Sequence, residues 1–215
     1  MRLTGLALLA GLLAGAAAPA TAAGACRPVA HDGAAYTVCT FRAARDDIRL
    51  WHSDDSGALL GSFSAIDRAL REEGRRLVFA MNGGMYHDDR SPVGHYVEGG
   101  VQKVPLIESD GPGNVGLLPN GVFCWGDGRA AVIETRAFAT AQPACRYATQ
   151  SGPMLVIDGA LHPRFLPGSD SVHIRNGVGV ASDGVTVHFA ISDGRVNFHS
   201  FGRLFRDRLD VPNAL

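Results

Sequence analysis

Ala148-Thr149-Gln150-Ser151-Gly152-Pro153-Met154-Leu155-Val156-Ile157-Asp158-Gly159 sets a polar, bend-prone tetrad against a short apolar run that closes on a turn dipeptide. Gly152 permits backbone conformations that a Cβ forbids, and Pro153 fixes φ and removes a donor, so the chain bends there. The spacing predicts a strand over Met154 to Ile157 and a hairpin turn at Asp158-Gly159. Gln150 and Ser151 then face whatever the bend encloses. Taken alone, the same residues also describe the ordinary start of a strand.

The neighbouring sequence repeats this style of short apolar runs punctuated by glycine turns. Tyr36 to Phe41 alternates as a strand, with Ile48 to Trp51 as its expected neighbour. Ser62 to Gly74 reads as a helix with Phe63, Ile66 and Leu70 on one face, a Ser or Asp cap before it and Gly74 as its stop. Leu77 to Met81 is continuously apolar, the pattern of a strand buried on both faces. Further strands are expected at Gly94 to Val97, Val115 to Leu118, Gly121 to Trp125, Ala130 to Ile133, Gly177 to Ala181 and Val185 to Ile191. Asp-Gly pairs at 127–128, 183–184 and 193–194 add hairpin signals, and Ser200 to Leu209 reads as a second helix burying Phe201, Leu204, Phe205 and Leu209. This order is α+β: one domain, a large mixed or mostly antiparallel sheet, and a few helices packed against it.

The 215 residues are 46% hydrophobic and 19% charged, enough for one domain with a sizeable core. A formal net charge of -1 supplies no global basic field, which argues against nucleic acid as a partner. Arg203, Arg206 and Arg208 near the C-terminus are explained by a solvated helix face. Arg2, the apolar run Leu3 to Ala18, Pro19 and the small-residue site Ala20-Thr21-Ala22 read as an export signal over residues 1–22. The expected domain is 23–215, periplasmic or secreted, without stable membrane insertion once the signal is cleaved. Cys26, Cys39, Cys124 and Cys145 all follow that site, and an even count in an exported chain favours disulfides. Pairing Cys26 with Cys39 and Cys124 with Cys145 would let each bridge bracket two neighbouring strands, although four cysteines allow three connectivities. The spacings do not match a zinc ribbon or finger, and His87-Asp88-Asp89 lacks a second ligand cluster, so neither a metal nor a cofactor is expected.

Three segments deliver polar residues and glycines beside an apolar run. Asn82-Gly83-Gly84-Met85-Tyr86-His87 follows the run at 77–81; its glycines allow close backbone approach, and the Asn82 amide can both donate and accept. Gln150-Ser151-Gly152-Pro153 lacks the G-x-S-x-G context, so Ser151 is read as a hydrogen-bonding group rather than a nucleophile. Arg175-Asn176-Gly177-Val178-Gly179 puts a fixed cationic fork before a strand, as phosphate or carboxylate recognition requires, though a structural role is the default for one arginine. A serine hydrolase would need Ser151 beside one of His162, His173, His188 or His199, and nothing in the sequence places one there.

In this order, together with Ser91-Pro92-Val93-Gly94, Pro119-Asn120-Gly121-Val122-Phe123 and Asn213-Ala214-Leu215, these motifs resemble the phosphodiester glycosidase family over roughly residues 36 to 215. The likeness is closer to its bacterial exported, exopolysaccharide-related branch. The resemblance implies hydrolysis of a sugar-1-phosphodiester to free sugar and phosphomonoester, with a sugar-phosphate or polysaccharide substrate. Under it Arg175 holds the phosphate, Asn82, Gln150 and Ser151 orient sugar or phosphate oxygens, and Tyr86 serves as a platform for the sugar ring. Gly83, Gly84, His87 and Asn176 complete the expected substrate site. Family members continue past the position of Asn213-Ala214-Leu215 into a strand bearing Leu-Asp-Gly, whose Asp belongs to the presumed active site; here the domain is expected to be C-terminally incomplete. Asp88, Asp89 and Glu98 are the acids nearest the first motif. The alternative is a non-catalytic carbohydrate-binding or envelope-binding protein that keeps the pocket without that carboxylate.

Overall fold

The structure is a computed structural model that describes residues 26–111 and 113–215. The expected export signal, its cleavage site and the domain's first residues lie outside the described residues.

The polypeptide forms twelve strands, β1 (Cys26–His31), β2 (Ala34–Arg42), β3 (Tyr96–Glu98), β4 (Val101–Val104), β5 (Gly121–Gly126), β6 (Arg129–Glu134), β7 (Tyr147–Ser151), β8 (Val156–Ile157), β9 (Ala160–Leu161), β10 (Asn176–Val180), β11 (Thr186–Ser192) and β12 (Asn213–Ala214). Three helices, α1 (Phe63–Glu72), α2 (Thr135–Ala141) and α3 (Phe198–Arg203), accompany them, α3 widening into a π turn over Leu204–Arg208. The α+β class and antiparallel pairing agree with expectation. The strands divide between two sheets, seven in the order β1-β2-β11-β10-β12-β8-β9 and five in the order β4-β3-β7-β5-β6. Every ladder is antiparallel.

Alternation along the strands explains the layering. On β2, Tyr36 and Val38 face a core closed by Phe201, Leu204 and Phe205 of α3 and the π turn, whereas Cys39 and Phe41 face the second sheet. On β5, Phe123 and Trp125 point into that same inter-sheet core, while Val122 and Cys124 pack under Phe138 of α2. The order of layers is therefore helix, sheet, sheet, helix. Between the sheets Phe123, Trp125 and Tyr147 stack at centroid separations of 4.4 Å and 5.4 Å, and the Trp125 indole donates to the Ile48 carbonyl at 2.8 Å. Buried aromatic side chains of this size contribute about 2–3 kcal/mol each.

Several expected elements change. Leu77 to Met81 is not a strand: Val78 is 69% exposed, and among the described residues no hydrogen bond reaches the backbone of residues 78–82. The continuous apolar run implies burial on both faces, but only Phe79 and Met81 pack on the core, the Phe79 ring centroid lying 5.2 Å from those of both Phe41 and Phe189. Ile48 to Trp51 is extended but unladdered, because β1 and β11 already occupy both edges of β2. Val115 to Leu118 is a turn, and the strand expected from Met154 shortens to Val156–Ile157, since Met154 and Leu155 instead donate to the Pro119 and Ala214 carbonyls. Phe63 of α1 is 53% exposed although Leu70 on the same face is buried. Asp127-Gly128 and Asp158-Gly159 make hairpins with positive φ at both residues; Asp193-Gly194 joins no pair of adjacent strands. Asp32-Gly33 turns β1 into β2 by the same geometry.

Both disulfides join the expected partners, Cys26 with Cys39 and Cys124 with Cys145, across sequence separations of 13 and 21. Replacing Cys124 and Cys145 together with serine is expected to lower the unfolding free energy by about 3 kcal/mol, the loop-closure contribution of a bridge of this span, measured by urea titration. Burial holds His95, His162 and His188 below the ordinary histidine range, so the folded state keeps them neutral. The unfolded chain binds those protons first on acidification. Stability is therefore expected to be fully present above about pH 6.5 and to decline as pH falls from there, read from urea midpoints between about pH 8 and about pH 5.

Candidate functional site

A cleft of about 760 Å³ opens between the two sheets at the end where residues 77–84 cross them. That volume falls within the range of small-molecule sites. Its floor is aromatic, from Phe41, Phe123, Trp125 and Phe189; Asn82, Thr149, Ser151 and Asn176 are polar residues of its lining. Five arginines, Arg45, Arg49, Arg75, Arg76 and Arg90, line it against two acids, Asp46 and Asp47. Arg49 and Arg75 both pair with Asp47, and Arg45 with Asp46; Arg76 and Arg90 have no ion pair among the described residues. The lining is thus net positive by three on a chain whose total is -1, which favours an anionic ligand.

Strand parity decides which expected residues meet there. Tyr147, Thr149 and Ser151 of β7 take one face, Ala148 and Gln150 the other. Ser151 is half-buried in the cleft wall. Gln150 is fully buried away from it and has all four amide hydrogen bonds made within the protein. Its Oε1 accepts from the His95 and Ile107 backbone N–H groups at 3.0 Å each, and its Nε2 donates to the Ile107 carbonyl at 2.7 Å and to Thr135 Oγ1 at 3.1 Å. Gln150 therefore fastens residues 95 and 107 to β7 and has no group left for a ligand.

The same rule separates Arg175 from Asn176. Arg175 lies on the helix side of the seven-stranded sheet, where its Nε and Nη2 donate to the Val196 and Ser171 carbonyls at 2.9 Å each and its guanidinium lies 3.5 Å from the Phe198 ring centroid. It does not line the cleft with Asn82. Asn176, one residue on, does, and its Nδ2 donates to Asn82 Oδ1 at 2.6 Å. Asn82 Nδ2 donates in turn to the Gly84 carbonyl at 2.9 Å. Each amide keeps unused capacity toward the cleft.

Gly83 and Gly84 need their lack of side chains. A Cβ on Gly83 would come 2.5 Å from Leu50 Cδ2, and one on Gly84, whose φ is +107°, would overlap Thr149 Oγ1. Tyr86 is exposed at the cleft edge with the Arg90 guanidinium 5.5 Å from its ring centroid. His87 lies in the exposed hairpin between Met85 and Val93, its backbone bonded to Ser91 and Arg90. Asp88 is exposed, and Asp89 is committed to capping Ser91, whose hydroxyl and N–H hold its carboxyl below the usual range. Glu98 accepts from Lys103 at 2.7 Å. None of these three acids lines the cleft. Sequence reasoning passed over Thr149, which the period-two alternation through Ser151 could have placed on the cleft wall, and over the five arginines, which come from three separate loops.

A family model for phosphodiester glycosidases matches residues 75–215, which include the Asn82 turn, β7 and β10. The chain belongs to the phosphodiester glycosidase family. This family member is 34% identical over 181 residues to the Escherichia coli (strain K12) protein YigE, itself uncharacterized, covering 84% of this chain and 69% of that one. Its fold is similar to the zebrafish N-acetylglucosamine-1-phosphodiester alpha-N-acetylglucosaminidase catalytic domain auto-inhibited by its pro-peptide, with a TM-score of 0.56 at 13% identity over 89% of this chain and 68% of that one. A hypothetical protein from Synechocystis gives 0.58 at 12% identity, covering 89% of this chain and 55% of its own. Family membership supports a glycosidase acting on phosphodiester bonds, with a sugar-phosphate substrate.

Replacing Gln150 with alanine strands four buried partners and is expected to destabilise the fold by about 3 kcal/mol in a urea titration, without removing a group that touches ligand.

Proposed function

We propose that the protein is an exported glycosidase that hydrolyses sugar-1-phosphodiesters, and that Asn82, Asn176 and Ser151 orient the sugar or phosphate oxygens. The carrying observation is the hydrogen-bonded Asn82–Asn176 pair in a cleft with an arginine-rich lining. Tyr86 offers a ring face at the cleft edge for the sugar. The cleft arginines meet the phosphate, while Arg175 holds the start of β10. In the reaction the bond between the anomeric carbon and the phosphodiester oxygen breaks, the phosphomonoester departs with the bonding electrons, and water adds to the anomeric carbon. A phosphomonoester is a weak base, so catalysis rests mainly on neutralising the leaving phosphate and stabilising an oxocarbenium-like centre with a carboxylate.

The family resemblance assigns that carboxylate to the Asp of a Leu-Asp-Gly motif. Both acids of the cleft lining, Asp46 and Asp47, are held in arginine ion pairs, which favours the non-catalytic, carbohydrate-binding alternative. Export rests on the N-terminal sequence and agrees with the two disulfides; among the described residues no helix is long and apolar enough to cross a membrane. An envelope polysaccharide or exopolysaccharide bearing sugar phosphates is the substrate class we favour.

The test is release of reducing sugar from simple glycosyl-1-phosphate esters by the purified protein. Turnover that disappears in Asn82→Ala with the fold intact is expected. Folded protein that binds the esters but releases no sugar would establish the binding alternative instead.

A further inference from the structure

We infer that Thr149 is the positioning residue of this site, holding the Asn82-Gly83-Gly84 turn so that the Asn82 amide faces the cleft; this rests on the glycosidase reading above. Thr149 sits mid-strand on β7, 8% exposed, paired with Tyr96 on one side and Phe123 on the other. Its hydroxyl donates to the Gly83 carbonyl at 2.5 Å, across 66 residues of sequence. Among the described residues this is the one hydrogen bond from another segment to the backbone of residues 78–84. No ladder fixes that stretch, so the register of the turn against the sheet depends on this bond, on the Asn176–Asn82 side-chain bond and on side-chain packing.

The packing points the same way. Gly84 lies so close to Thr149 Oγ1 that a Cβ would collide with it, and the same Cβ would stand 3.3 Å from the Gln150 carbonyl. Leu50 packs against Gly83. The turn is therefore packed against Leu50 and β7, with the threonine hydroxyl selecting its rotation. Threonine suits this role because its branched Cβ restricts χ1, so the rigid strand aims the hydroxyl.

From Gly83 the constraint passes to the chemistry in two steps. Fixing the Gly83 carbonyl sets the plane of the Gly83–Gly84 peptide, and the packing of Gly84 against Thr149 and Gln150 sets the next one, whose Gly84 carbonyl accepts one proton of Asn82 Nδ2; Asn176 occupies one lone pair of Asn82 Oδ1. One N–H and one lone pair remain on Asn82, and their direction follows from the two bonds already made. Thr149 itself need not touch substrate.

Thr149→Val keeps the shape and removes the hydroxyl, whereas Thr149→Ser keeps the hydroxyl. Side-chain amide signals of Asn82 and the backbone amide of Gly84, followed by ¹⁵N-correlated NMR on the ligand-free protein, are expected to shift and broaden in Thr149→Val and to return in Thr149→Ser, with β5 and β10 signals unmoved. In the turnover assay kcat is expected to fall about tenfold to a hundredfold in Thr149→Val with little change in KM, the signature of misorientation, and to recover in Thr149→Ser. Unchanged Asn82 and Gly84 signals in Thr149→Val would overturn the inference, as would a Thr149→Ser variant as impaired as the valine one. Undiminished turnover in Asn82→Ala would instead sink the catalytic reading of the turn, while the NMR comparison would still decide whether Thr149 positions it.

Discussion

Contact between β10 and the helical layer over two glycines is the constraint on which the site depends. A Cβ at Gly177 would come 2.5 Å from the Leu215 carbonyl and 3.0 Å from Phe201, and one at Gly179 would come 2.8 Å from both Phe205 and Val211. Without side chains on that face, α3 and its π turn settle directly on the strand, and β12 can pair along its edge. The opposite parity of β10 then carries Asn176, Val178 and Val180 toward the second sheet. One face of the strand closes a core, and the other begins the cleft.

The second sheet answers with the same division of labour. β7 uses Ala148 and Gln150 to bind the outer layer and leaves Tyr147, Thr149 and Ser151 for the inter-sheet space. Rigidity and function are thus interleaved residue by residue: Gln150 saturates its amide on residues 95, 107 and 135 so that its neighbours stand on a fixed strand. Arg175 stands to Asn176 as Gln150 stands to Ser151. In both pairs the more conspicuous polar residue turns away from the cleft and the plainer neighbour lines it.

What could be read from the chain follows the local character of each signal. Asp127-Gly128 and Asp158-Gly159 specify hairpins because a two-residue turn with positive φ is a short-range property. The buried face Phe201, Leu204, Phe205 and Leu209 was legible because helical periodicity is also local, although the widening into a π turn was not. Leu77 to Met81 misled because a continuous apolar run states only that burial is wanted, and ladder pairing depends on a partner strand far away in sequence. The arginines of the cleft escaped for the same reason: residues 45–49, 75–76 and 90 share a surface only after folding.

By itself the sequence determined the α+β class, the family and the three segments that border the cleft; it suggested the two disulfide pairs but left all three connectivities open, and the structure chose among them. Those properties rest on composition, turn chemistry and short motifs, each carried by a few consecutive residues. Tertiary structure alone decided that the strands form two sheets, that Gln150 and Arg175 turn away from the cleft, and that Thr149 meets Gly83. The physical reason is strand parity: adjacent residues point to opposite faces, and which face becomes core and which becomes cleft is set by the layers that pack against the sheet.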